Sequence, residues 1–89
     1  MAQATVQLNN PQGLHARPAA LFTMTASSFS CDIQVEKAGK VVNAKSIIKL
    51  LSLDCRHGDD ITITAEGVDD VAAVEKLVSL VEAGLGEVH

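Results

Sequence analysis

Apolar and polar residues alternate from position 3 to 8. Ala4, Val6 and Leu8 fall on one side and Gln3, Thr5 and Gln7 on the other, which predicts a half-buried strand. Asn9-Asn10-Pro11-Gln12-Gly13 breaks it. The period then changes: over residues 16–28, Ala19, Phe22, Thr23 and Ala26 recur at helical spacing. Leu21 and Met24 widen that stripe beyond what core burial needs. Alternation returns with Cys31, Ile33 and Val35 against Asp32, Gln34 and Glu36, a second strand. Lys37-Ala38-Gly39-Lys40 reads as a hairpin turn into a short return strand over 41–44. Ser46 stands where it can cap a short helix over 47–53. Lys49 occupies the position at which a full capping box would carry Glu or Gln. A polar loop over 54–60 leads to a fourth strand, with Ile61, Ile63 and Ala65 alternating with Thr62, Thr64 and Glu66. The last helix is capped by Asp69 or Asp70, buries Val71, Val74, Leu77, Val78 and Val81, and ends at Gly84 or Gly86.

The order is βαββαβα. Three strands are apolar on one face only, so the pattern predicts an α+β fold: a two-layer open-faced β-sandwich. Its four-stranded, mainly antiparallel sheet is covered on one face by three helices. The pattern does not fix the strand order. The length predicts a single domain over 1–89. Apolar residues make up 47% of the chain, which argues against disorder.

Charge divides the chain. Residues 13–57 carry six Lys or Arg against three carboxylates, whereas residues 58–89 carry Lys76 against eight. The basic part would steer an anion or an acidic partner surface towards itself, although most such charges simply solvate a surface. Phe22 and Phe29 are the only aromatics, too few for a base-stacking platform, so no direct nucleic-acid binding is expected. Cys31 and Cys55 lack CxxC spacing and read as reduced thiols. No export signal or membrane-spanning apolar run is found in the sequence, and a cytoplasmic location without direct membrane insertion is expected. The three histidines and two cysteines form no zinc pattern, and no phosphate-cradling nucleotide loop is present. Neither metal nor cofactor is expected.

The chemistry concentrates in Gly13-Leu14-His15-Ala16-Arg17-Pro18-Ala19-Ala20. Here an imidazole stands where a loop turns into a helix, and a guanidinium follows two residues later. Pro18 suits the first turn of a helix, where a missing amide hydrogen is tolerated. The helix start offers free N–H groups and the positive end of the helix dipole, a ready anion site. A histidine in that place can accept a phosphoryl group and hold it, with Arg17 stabilising the phosphate. The plainer alternatives are a solvated histidine and a surface cation. The dipole contributes only about 0.3–1 kcal/mol at an exposed site, which favours reversible transfer over trapping. Gly13 permits an unusual backbone angle or a close approach.

The chain resembles the HPr family, the histidine-containing phosphocarriers of the bacterial sugar phosphotransferase system. Gly13-Leu14-His15-Ala16-Arg17-Pro18-Ala19 and Val42-Asn43-Ala44-Lys45-Ser46-Ile47 carry the resemblance, which runs from about residue 2 to residue 88. It implies the same fold. It also implies phosphorylation of His15 at Nδ1 by a phosphoenolpyruvate-dependent enzyme I and onward transfer to sugar-specific enzyme IIA proteins. Such a protein is a carrier in sugar transport and not itself an enzyme. In members from low-GC Gram-positive bacteria, the serine matching Ser46 is phosphorylated by an HPr kinase/phosphorylase. The resemblance thus makes Ser46 a candidate regulatory site, and Gly84-Leu85-Gly86-Glu87 resembles the endings of those members. The alternative function is a regulatory adaptor that acts in Ser46-phosphorylated form on a catabolite-control transcription factor. Leu21, Met24, Ile47, Ile48, Lys49 and Leu51 are candidate docking residues, whereas Leu50 and Leu53 are expected in the core. Lys49 stands where many Gram-positive members have Gly, and Gln12 where many members have Ser or Thr.

Overall fold

A computed structural model of the chain describes residues 1–87. Its elements are β1 (Ala2–Gln7), α1 (Ala16–Ser27), β2 (Asp32–Lys37), β3 (Lys40–Asn43), α2 (Ile47–Leu51), β4 (Asp60–Glu66) and α3 (Asp70–Glu82). The strands form one sheet in the order β1-β4-β2-β3, and every neighbouring pair is antiparallel. Alternation does what the sequence pattern requires. Ile33, Val35, Ile61, Ile63 and Ala65 are buried under the helices, while Gln34, Glu36, Thr62 and Thr64 lie on the other side of their strands. On that open face the Thr5 and Thr62 hydroxyls share a 2.9 Å hydrogen bond, and Gln3 Nε2 donates to Thr64 Oγ1 at 3.0 Å.

Ala19, Phe22 and Ala26 of α1 meet Ala73, Val74, Leu77 and Val81 of α3 in one core, which Leu50, Leu53 and Leu85 complete. The α3 stripe differs from the expected one. Val71 is exposed and Ala73 is buried in its place. Burial in the first turn of α3 falls on the residue one helical turn before Leu77. Asp69 holds the N-cap position, but its carboxylate makes no cap bond to the helix. It crosses instead to the start of β2 and accepts from the Ser30 and Cys31 backbone N–H groups at 2.8 and 2.9 Å. At the other end, Gly84 takes a positive φ of +90°, its N–H donates to Val81 O, and Leu85 N–H donates to Leu80 O at 3.0 Å. This double bond pattern closes the helix in a Schellman motif.

Strand and helix ends shift from the sequence expectation by a residue or two, as fraying ends do. The largest shift is in α2, which stops at Leu51, with residues 52–53 in a turn. No helix among the described residues is long and apolar enough to cross a membrane.

Candidate functional site

Gly13, Leu14 and His15 form the approach to α1. Leu14 is fully buried and acts as the anchor, and its N–H donates to Cys55 O at 3.0 Å. Gly13 has φ +59°, and a Cβ there would run into the Cys55 carbonyl and lie 2.7 Å from Arg56 Cα. The glycine is therefore required by both conformation and space: the close approach is to the chain's own 55–56 segment. Asn10 secures the turn from below. It is fully buried and donates from Nδ2 to Gly13 O at 2.8 Å and to Glu87 Oε1 at 2.7 Å.

His15 takes the N-cap position of α1 with extended backbone, and Ala16 after it has φ +50°. Left-handed backbone is costly for alanine, so the helix entrance is strained at the residue that follows the imidazole. The His15 side chain is 41% exposed and makes no cap bond to the helix. Its Nε2 lies 3.2 Å from Asp54 Oδ1. The second carboxylate oxygen of Asp54 accepts from Arg56 Nη2 at 2.9 Å and Nε at 3.2 Å. Lys37 Nζ donates to the Asp54 backbone carbonyl at 2.6 Å and pairs with the Asp59 carboxylate at 2.9 Å. The Arg56 guanidinium, followed by the neighbouring imidazole, holds the Asp54 carboxyl below the ordinary carboxylate range. Sequence reasoning assigned Asp54 and Arg56 only to a polar loop. The pairing joins residues 39 apart in the chain, and no local pattern announces it.

Arg17 is exposed, and none of the ion pairs among the described residues uses it. It lines a shallow recess with Gln12, Ala16, Leu85, Gly86 and Glu87. Glu87 turns its Oε1 onto Asn10 Nδ2 and the Gln12 N–H in the same region. Pro18 is buried in the first turn. Arg17 and Asp54 thus belong to different surroundings, the one in the recess beside Gln12, the other on the 54–56 segment.

Ser46 caps α2, with Lys49 N–H donating to Ser46 Oγ at 3.4 Å. Among the candidate docking residues, Met24 is 70% exposed, Ile48 76%, Ile47 38% and Leu51 37%. Lys49 is exposed and Leu21 half-buried. They project from α1 and α2, two helices that pack together. Leu50 and Leu53 are buried, as expected of core residues. Cys31 and Cys55 are free and buried, and burial raises the Cys55 thiol to about 11. His57 is exposed, and His89 lies outside the described residues.

Comparison with known proteins places these features in a family. Residues 2–83 match the family model described as the PTS HPr component phosphorylation site. HPr-like protein Crh of Bacillus subtilis is 46% identical over 82 residues, covering 92% of this chain and 96% of that protein. The multiphosphoryl transfer protein of Vibrio cholerae is 42% identical over 87 residues, which cover 94% of this chain but 22% of that longer protein. Among solved structures, HPr from Thermoanaerobacter tengcongensis superposes with a TM-score of 0.98 at 48% identity, covering 100% of both chains. HPr from Bacillus anthracis superposes at 0.88 with 50% identity, covering 90% of this chain and 95% of the other.

Proposed function

The chain belongs to the HPr family of phosphocarriers, which are carriers rather than catalysts, and from that premise we propose that it relays phosphoryl groups through His15. His15 accepts the group from phosphorylated enzyme I and passes it to sugar-specific enzyme IIA proteins in the cytoplasm. The observation that carries this reading is the exposed His15 imidazole at the mouth of α1, with Nε2 engaged by Asp54. Nδ1 has no hydrogen-bond partner among the described residues. One ring nitrogen is tethered and the other is open to a donor. Arg17, which has no ion-pair partner among the described residues, supplies the positive charge that a phosphate on the ring requires. Leu21, Met24, Ile47, Ile48, Lys49 and Leu51 form the docking surface for these partners.

Ser46 is the regulatory position in this proposal. A phosphate there keeps its place at a helix start, where negative charge is favoured, and adds an anion beside the docking residues of α2. The likeness to HPr-like protein Crh supports a second reading, an adaptor that acts in its Ser46-phosphorylated form on a catabolite-control transcription factor. The presence of His15 favours the carrier.

Incubation with phosphoenolpyruvate and enzyme I tests the carrier reading. One acid-labile, base-stable phosphate is expected, absent from His15→Ala. No such product, or the same product from His15→Ala, rejects the carrier and leaves the adaptor. Incubation with ATP and HPr kinase, with Ser46→Ala as comparison, tests the regulatory site in the same way.

A further inference from the structure

Asp54 is poised as no surface carboxylate needs to be. Its backbone has φ +51°, a conformation that Asp tolerates better than most residues. Its two oxygens are divided between His15 Nε2 and the Arg56 guanidinium, and its carbonyl is held by Lys37. Both Arg56 donors converge on Oδ2, which leaves Oδ1 to the imidazole. A carboxylate can only accept, so the 3.2 Å contact requires the proton on Nε2. The lone pair of the neutral ring then lies on Nδ1.

We propose that Asp54 is a positioning residue for phosphoryl transfer: it keeps the His15 proton on Nε2, so that Nδ1 is the nucleophile and no proton has to move in either direction of the relay. The proposal rests on the carrier reading above. In the forward step the Nδ1 lone pair attacks phosphorus, and the P–N bond of the donor phosphohistidine breaks with its electron pair returning to the donor ring. The His15 ring takes up positive charge while keeping its Nε2 proton against Asp54. In the onward step the P–Nδ1 bond breaks, the pair stays on Nδ1, and the neutral Nε2–H ring is restored. The carboxylate thus faces the nitrogen that shares the developing positive charge. Arg56 is its anchor and Lys37 steadies the segment behind it.

Ring 15N NMR of the unphosphorylated protein at alkaline pH tests this without any phosphorylation step. The wild-type ring is expected in the Nε2–H tautomer, whereas a ring protonated on Nδ1 overturns the proposal. Asp54→Gly removes the carboxylate and accommodates φ +51°. It should lower the Nε2–H to Nδ1–H ratio about two- to five-fold, the range of an exposed charged pair. An unchanged ratio in a folded Asp54→Gly protein overturns the proposal as well. The same variant should accept phosphate from enzyme I more slowly by a similar factor. If wild type shows the tautomer but no phosphate is accepted at His15, the carrier reading fails while the role of Asp54 in fixing the tautomer stands.

Discussion

Gly13→Ala is the sharpest test of how the fold builds the site. The added methyl meets two separate penalties. The first is conformational: φ +59° puts alanine in the left-handed region at about 1–2 kcal/mol. The second is steric. The Cβ would fall on the Cys55 carbonyl and Arg56 backbone, which belong to a neighbouring segment and have no rotamer to change. Segments 13–14 and 55–56 must separate, at roughly 1–3 kcal/mol for forced displacement of packed atoms. The Leu14 N–H to Cys55 O bond lies at the point of separation and is worth about 1 kcal/mol. The total is about 4 kcal/mol. At roughly 4–8 °C per kcal/mol for a domain of this size, Tm should fall by about 15–30 °C.

Gly39→Ala supplies the comparison. Gly39 has φ +85° in the β2–β3 turn, and a Cβ there would meet nothing within 4 Å. Only the conformational penalty applies, so Tm should fall by about 4–16 °C. Thermal unfolding followed by circular dichroism reads both variants. Equal losses, within about 3 °C, would refute the steric argument. Gly13→Ala carries a functional consequence too. Leu14 directly precedes His15 and Cys55 directly follows Asp54, so opening this contact should also loosen the His15–Asp54 pair.

Phe22→Ala removes a fully buried ring from the core and should cost about 3–5 kcal/mol, read as a lower urea midpoint at unchanged m-value. Ser46→Ala removes a long cap bond and should cost about 0.5–1 kcal/mol by the same measurement, with no loss of phosphate acceptance at His15. In the proposed carrier role, Arg17→Ala should slow phosphorylation by enzyme I more than Arg56→Ala does, and equal rates for the two would count against Arg17 as the phosphate contact. Asp54, Asp59, Asp69 and Asp70 all have carboxyls below the ordinary value of 3.8, with Arg56, the Arg56 N–H, the Ser30 N–H and the chain-terminal amine as the respective leading causes. The unfolded chain therefore binds more protons in this range, so their stabilisation is full above about pH 4 and is lost as pH falls through the folded values. The urea midpoint should fall as pH drops below about 4, and a midpoint that stays flat there would contradict the assignment.

The sheet was legible because its strands are buried on one side only. Ile33 and Val35, or Ile61 and Ile63, cannot alternate with Gln, Glu and Thr and lie otherwise than with one face in and one face out. The short α2 was legible from Ser46, whose cap is present. Where local patterns failed, a distant partner had won. Val71 fits the α3 stripe by hydrophobicity, yet the core at that end closes on Ala73. Asp69 has the composition of a helix cap, yet two β2-side N–H groups 38–39 residues away take both its oxygens. Ala16 is a strong helix former by propensity, and nothing in the sequence reveals its left-handed backbone.

Arg17 and Arg56 differ in the pairs they already hold. Arg56 and Arg17 are alike in sequence terms, cations in a basic half of the chain. Their partners make them different tools. Arg56 is committed to Asp54 through two donors on one oxygen, which ties its guanidinium to the carboxylate that faces His15. Arg17 has no ion pair to give up among the described residues and stands at the helix start, where the dipole already favours an anion. In the proposed relay, Arg17 could turn to an anion on the ring without breaking an ion pair among the described residues, while Arg56 stays on Asp54. Under the two proposals together, the imidazole has one arginine acting on the phosphate and another acting through a carboxylate. Arg17 stands out in the motif because it lies two residues from His15, whereas Arg56 is linked to the imidazole, through Asp54, only by the fold.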